Sequence, residues 1–318
     1  MIMADKDFGR VRMRVWSDQP EVFPWLGPPR EAPGPADPAG EALWRRLAEA
    51  AQPHAHAWGG ETSFWREGYA VAVAAESQYD ALRDLAATGA LPPGHRFCLA
   101  ARGSGFHGRE GRRWETMAGN LHLSAVLTVD LPAAAWGPVL PALPALAALD
   151  VVGRFAAPGR TTGIKWINDV LVDGAKIAGV LTAVRTRDAR IANIFLGLGL
   201  NVAAAPALPP DSVPADATHL GSAAGRAVGL DDVLSALLRA LARRFTAAVA
   251  AGPASLVADY RAASLVVGRR VLVLPETGAD AGTPVPVSGR VVGIGPDLSL
   301  QLADAPPVRG GRLLRSED

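Results

Sequence analysis

Between Gly163 and Leu181 the chain sets Lys165, Asn168, Asp169 and Lys176 into a run that is otherwise apolar or glycine, broken only by Asp173-Gly174. Charges inside so apolar a stretch are costly unless they pair with one another or face a ligand. Ile164 and Trp166 read as a strand, Asp173-Gly174 as a hairpin turn, and Ile177 to Val184 as its second arm. Lys165 either faces a ligand or simply pairs with Asp169, whereas Lys176, followed directly by Ile177-Ala178-Gly179, is harder to explain by pairing.

The flanking chain supports a mixed α/β unit. Tyr69 to Ala75, Phe97 to Ala101, Asn120 to Val129 and Ile191 to Leu200 read as strands, and Tyr79 to Ala87 as a helix stopped by Gly89. Leu230 to Val249 is the clearest helix, with Leu230, Val233, Leu234, Leu237, Leu238, Leu241, Phe245 and Ala248 at the 3.6-residue period. After Tyr260 come short strands at Arg270 to Leu274, Val285 to Ile294 and Leu298 to Leu302, the pattern of a small barrel. Residues 1–60 read instead as an irregular, Pro-rich extension. It carries one helical candidate, Glu41 to Ala51, and Trp16, Trp25 and Trp44 to pack part of it on something else. His54 and His56 read as loop histidines rather than metal ligands.

Composition bounds the partners. A net charge of +1 supplies no general field for gripping nucleic acid. Cys98 is the single cysteine, which precludes an internal disulfide and suits a reducing compartment; between Phe97 and Leu99 it reads as a strand residue rather than a nucleophile. The N-terminus shows no apolar signal region. The longest apolar stretch, Leu131 to Val152, is interrupted by Pro132, Pro138, Pro141 and Pro144, which suits a buried helix better than a membrane span. A soluble, cytoplasmic chain with no membrane partner is the expectation.

Two further segments carry chemistry. Arg102 to Trp114 contains Gly103, Gly105 and Gly108 in a G-x-G-x-x-G pattern, which is weak by itself. A dinucleotide fold would continue into an apolar helix, but here Arg109, Arg112 and Arg113 follow. A protein kinase would carry Asp-Phe-Gly downstream, but here Asp7-Phe8-Gly9 lies far upstream. Glycines that admit backbone N–H groups to phosphate oxygens, with arginines to neutralise them, suit an anion; a solvated basic loop also satisfies this segment alone. Phe195 to Val202 is a strand whose Gly197 and Gly199 share a face, leaving room for a flat ligand or for close packing.

Taken together and in order, these segments resemble the biotin–protein ligase family, part of the biotin/lipoate A/B protein ligase group. That family's G-R-G-R-x-G-R-x-W loop is similar to Gly108-Arg-Glu-Gly-Arg-Arg-Trp114, and its K-W-P-N-D strand to Lys165-Trp-Ile-Asn-Asp169. Its K-L-A-G-I-L strand is similar to Lys176-Ile-Ala-Gly-Val-Leu181, its G-I-G-I-N-V strand to Gly197-Leu-Gly-Leu-Asn-Val202, and its G-x-N-L-Y-L-S strand to Gly119-Asn-Leu-His-Leu-Ser124. The likeness runs from about Tyr69 to the end, where Leu314-Arg315-Ser316 resembles the last strand of the family's SH3-like domain. It departs at the acid-pocket segment, D-S-T-N in the family and Glu76-Ser77-Gln78-Tyr79 here, and at Phe106-His107, where the family has Gly-Arg. Ile167 stands for the usual proline. Residues 1–60 do not resemble the family's winged helix-turn-helix.

The resemblance implies an α+β fold: a class II synthetase-like mixed sheet with flanking helices over 61–260, and a small SH3-like β-barrel over 261–318. It implies an enzyme that joins biotin to AMP, using ATP and Mg²⁺, and passes the biotin to a lysine of a biotin carrier domain of a carboxylase. Lipoate or a medium-chain acid as substrate, and a catalytically silent adenylate binder, stand as alternatives. Arg109 and Arg112, on a loop with Gly108 and Gly111, would close over the adenylate phosphate, and Trp114 would pack on the adenylate. Lys176 would bond the acid's carboxylate and the α-phosphate. Lys165, Trp166, Asn168 and Asp169 would line the nucleotide side, Asp169 assisting the metal or the incoming amine. Ser77 would touch the acid. Asn120, Gly179, Gly197, Gly199, Asn201 and Arg315 would flank the ligands. No protein cluster is expected to hold a metal, which would come with ATP, and exposed sheet edges are compatible with a homodimer.

Overall fold

In β-strands successive side chains alternate between faces, and the apolar runs of this chain use that alternation to build two cores on one sheet. The structure is a computed structural model that describes residues 13–35, 37–48, 51–59, 64–210, 212–276 and 285–317, with side chains described as far as 314. The chain opens with β1 (Met13–Ser17), β2 (Arg30–Glu31), α1 (Pro38–Ala48), β3 (His54–Trp58), β4 (Glu67–Ala74), α2 (Gln78–Ala87), β5 (Arg96–Gly103) and β6 (Leu121–Pro132). Next come α3 (Ala133–Trp136), α4 (Ala142–Phe155), β7 (Thr162–Lys165), β8 (Asp169–Val172), β9 (Ala175–Arg187) and β10 (Arg190–Leu200). Then α5 (Leu220–Ala224), α6 (Leu230–Ala251) and α7 (Ala254–Ala263) lead to β11 (Arg270–Pro275), β12 (Val287–Ile294), β13 (Leu300–Leu302) and β14 (Gly311–Glu317).

Strands β1 to β10 form one sheet in the order β2-β3-β1-β4-β5-β6-β10-β9-β8-β7. It is mixed: β4 runs parallel to β1 and β5, and the remaining pairs are antiparallel. Along β6, Leu121, Leu123, Ala125 and Leu127 face a core shared with α4, α6 and α7, while Val126 faces a second core with α1 and α2. The long apolar stretch of residues 133–155 is mostly buried inside the molecule, packed on α6 and the sheet, which is why it stays apolar despite its prolines.

Residues 13–58 differ from expectation where they are described. Rather than an irregular extension, 13–58 contribute three strands to the main sheet, with β1 pairing in register with β4 (Trp16 opposite Tyr69). Short strands broken by Pro28-Pro29 and Pro33 hide their alternation from a window of eleven or more residues. His54 and His56 lie on β3, not in a loop. The His56 ring bonds the Ser17 hydroxyl at 2.7 Å and the Gly27 carbonyl at 2.9 Å, stitching β3 to β1. Trp166 falls in the turn after β7 rather than in the strand.

Strands β11 to β14 make a separate four-stranded antiparallel sheet, ordered β13-β12-β11-β14, around Val271, Val273, Val291, Ile294, Leu300 and Leu313. Trp166 ties it to the main unit by donating its indole N–H to the Leu298 carbonyl at 2.7 Å.

Candidate active site

One register row crosses five strands. His122 on β6 lies opposite Gly199 on β10, Gly199 opposite Gly179 on β9, Gly179 opposite Asp169 on β8, and Asp169 opposite Lys165 on β7. Residues opposite one another in a sheet share a face, so this row is a floor with a glycine pair in its middle and charge at one end. The glycines are there for space. Trp114 comes over from the β5–β6 loop and lays its ring on them; a Cβ on Gly179 would meet it at 3.0 Å, and one on Gly199 would overlap it outright. Its indole N–H reaches Nδ1 of His122 at 3.3 Å, while His122 Nε2 faces the Met117 carbonyl. Burial keeps the His122 proton affinity below the ordinary histidine range, so the ring is neutral with Nδ1 free to accept.

At the charged end, Asp169 is flanked by both lysines. Lys165 Nζ is 2.6 Å from one carboxylate oxygen and Lys176 Nζ is 2.7 Å from the other. Lys165 also donates to the Val213 carbonyl. Burial works to raise the Asp169 pKa, but the two ammonium groups more than reverse it and hold the carboxyl well below the usual range. Asp169 is thus a fixed anion that positions lysines and is a poor proton acceptor. Lys176 Nζ sits 5.6 Å from the Trp114 ring centroid, a cation over an aromatic face.

Above this floor lies a cavity of about 340 Å³. Of the residues singled out from the sequence, Ser77, Gly108, Arg109, Arg112, Trp114, Lys165, Trp166, Asn168, Asp169, Lys176, Gly179, Gly197 and Gly199 line it. Four do not. Gly111 supplies a backbone angle instead, φ +69° in the tight turn beside Arg112. Asn120 is 4% exposed and spends its side-chain oxygen on the N–H groups of Val202, Ala203 and Ala204, shaping the chain after β10. Asn201 donates to the Thr218 carbonyl at 3.0 Å. Arg315 pairs through its backbone with Leu272, and its side chain lies outside the described residues. Asn168 lines the cavity but gives its amide N–H to the Val180 carbonyl at 2.7 Å, locking β8 onto β9.

Sequence reasoning missed other walls. Leu208, Pro209, Ser212, Val213 and Pro214 reach the cavity because their loop pairs with Lys176: Lys176 N–H donates to Asp216 O and Thr218 N–H to Lys176 O. Gly311, Arg312 and Leu313 enter from β14. Neither segment carries a motif, so the signal lies only in their pairing partners. Arg113 and His122, for which the sequence suggested no role, also line the cavity. Just after β11, Glu276 forms an ion pair with Arg109, joining the loop to the end of that strand.

A resident magnesium site does not fit these residues. Asp169 is the only acid among the described residues lining the cavity, and a lysine holds each of its oxygens. A magnesium ion would have to arrive with the phosphates of ATP rather than be held by these side chains.

A family model described as the biotin/lipoate A/B protein ligase family matches residues 88–201. The biotin–[acetyl-CoA-carboxylase] ligase of Mycobacterium tuberculosis is 38% identical over 245 residues, spanning 76% of this chain and 84% of that protein. The bifunctional ligase/repressor BirA of Bacillus subtilis is 35% identical over 140 residues, 43% of this chain and 42% of that protein. Among solved structures, biotin protein ligase from Aquifex aeolicus in complex with biotin and ATP superposes with a TM-score of 0.59 at 18% identity, covering 77% of this chain and 97% of that one. With the glycine floor, the lysine–aspartate cluster and the arginine loop in place, this chain belongs to the biotin/lipoate A/B protein ligase family.

Proposed function

We propose that this chain is an ATP-dependent biotin–protein ligase: it joins biotin to AMP and transfers the biotinyl group to a lysine of a biotin carrier domain. One observation carries this reading. Lys165, Lys176, Arg109 and Arg112 converge on one cavity that has a single carboxylate among its described residues, so an excess of fixed positive charge awaits an anion. Bringing a carboxylate against the α-phosphate of ATP joins two anions, and that repulsion is what preorganised cations offset.

In the first step a carboxylate oxygen of biotin forms a bond to the α-phosphorus, and the bond to the leaving pyrophosphate breaks. Lys176, held by Asp169, is placed to donate to both the carboxylate and the α-phosphate; Arg109 and Arg112 face the phosphates from the loop. In the second step the carrier lysine's amine attacks the acyl carbon and AMP departs, the amine losing a proton to solvent. Asp169 serves by fixing the two lysines. Trp114 walls the adenylate side, and Ser77, at the start of α2, touches the acid. The match to the tuberculosis ligase over 84% of its length supports biotin as the acid. The strand order β13-β12-β11-β14, continuous with the site through Gly311 to Leu313, supports an SH3-like reading of the small domain.

The test is transfer itself. Purified protein, Mg·ATP, biotin and a biotin carrier domain should give a carrier heavier by one biotinyl group, located on its lysine by mass spectrometry. A carrier with that lysine changed to arginine should stay unmodified. Modification by lipoate or octanoate but not biotin would move the substrate within the family.

A further inference from the structure

The loop between β5 and β6 doubles back on itself. Gly108 N–H donates to Arg112 O at 2.7 Å, Trp114 N–H to Phe106 O at 2.9 Å, and His107 bridges Arg113. One arm therefore carries Phe106 and His107, the other Arg113 and Trp114, and both line the cavity. His107 also reaches out of the loop. Its Nε2 is 2.7 Å from a carboxylate oxygen of Asp80 on α2, and its Nδ1 is 3.0 Å from the Gly108 carbonyl. Both ring nitrogens face acceptors, and only an imidazolium has a proton for each.

The anchor is well placed. Asp80 stands in the first turn of α2, its N–H capped by the Ser77 hydroxyl at 3.4 Å, so the helix start that lines the acid end is the one that holds His107. Tyr79 stacks edge-on against His107 at 6.3 Å between centroids and rests on the Gly197 face of the sheet. The charged and titratable groups around His107 are Asp80, Tyr79 and Arg83 from α2 and Arg113 across the loop. From the floor come Leu181 and Gly197, uncharged, with His122 facing Phe106 on β6.

We propose that the His107 imidazolium, paired with Asp80, is a latch that straps the 103–114 loop across the cavity and so positions it to retain the bound acyl-adenylate, letting go when His107 loses its proton. This rests on the adenylate-forming reading of the site. The Gly108 carbonyl foremost, with Asp80, holds the proton on His107 above the ordinary histidine range of about 6.5, against burial and Arg83, which work the other way. The latch is complete below that range and is lost as pH rises through the elevated value.

Two readouts test it. In the ligand-free protein, trypsin needs an extended stretch of backbone, so cutting after Arg109, Arg112 or Arg113 should speed up when the doubled-back loop opens, and rates are taken relative to wild type at each pH so that the protease's own pH dependence cancels. His107→Gln should be cut about tenfold faster than wild type at about pH 6, the difference shrinking toward pH 9. His107→Arg, a permanent cation within reach of Asp80, would add a trypsin site of its own inside the loop and therefore enters only the second readout. The second readout is the lifetime of enzyme-bound biotinyl-adenylate on a rapid filter. It should shorten with rising pH in wild type, be short and pH-independent in His107→Gln, and long and pH-independent in His107→Arg. Asp80→Asn should move both midpoints to lower pH. Equal cutting of His107→Gln and wild type at every pH overturns the latch. Absence of any adenylate from wild type, with the trypsin pattern as expected, keeps the latch and overturns the ligase reading instead.

Discussion

Asp169 carries one negative charge and faces two ammonium groups inside the molecule, so removing its charge leaves two buried cations against each other. Asp169→Asn should lower stability by about 3 kcal/mol, the penalty of breaking a buried pair, read as a drop in denaturant midpoint. The pH dependence has a definite sign. Because the folded carboxyl titrates below its unfolded value near 4, the wild-type advantage is complete above about pH 4 and disappears as pH falls through the folded value. Unfolding curves of the two proteins should therefore converge on acidification; curves that stay parallel would remove Asp169 from this role. The sequence made this cluster visible, since three charges in an apolar hairpin demand an explanation. It did not show that both lysines would take the same carboxylate, because that depends on the register of β7, β8 and β9.

Two elements meet at Trp114 on the glycine floor. The spacing of Gly197 and Gly199 pointed to open space above one face of a strand, which the structure fills in part with the chain's own tryptophan at Gly199 and Gly179 and with Tyr79 at Gly197. Gly199→Ala should cost about 1–3 kcal/mol by overpacking and displace the ring. In Trp114→Ala the same change should cost almost nothing, a coupling of at least about 1 kcal/mol in a double-mutant cycle. Additive effects would mean that the glycine serves only the backbone. The loop over 208–214 explains what sequence reading omits: it holds no motif, and enters the site only because residues 216–218 pair beside Lys176.

For the whole molecule, the fold was legible wherever strands are long or helices strongly periodic, as in β6, β9, β10 and α6. The strands within residues 13–58 were not, because five-residue strands separated by prolines carry too few alternations to register. Their packing is substantial. Trp44 on α1 is 4% exposed in the core it shares with Tyr69, Val71 and Leu82, and bonds the Ala51 carbonyl. Trp44→Ala should cost about 3–5 kcal/mol, visible as a single lowered thermal transition; an unchanged midpoint would make the first strands an accessory. In the proposed reaction the cations of the Lys176 cavity activate biotin with ATP. Its most direct test is pyrophosphate release from Mg·ATP by the purified protein, with biotin, lipoate and octanoate offered separately and Lys176→Ala as the control. Release dependent on biotin, reduced about 10²–10³-fold or more in the variant, is the predicted result. Release by Lys176→Ala at the wild-type rate, or none with any acid from the folded wild-type protein, would contradict it.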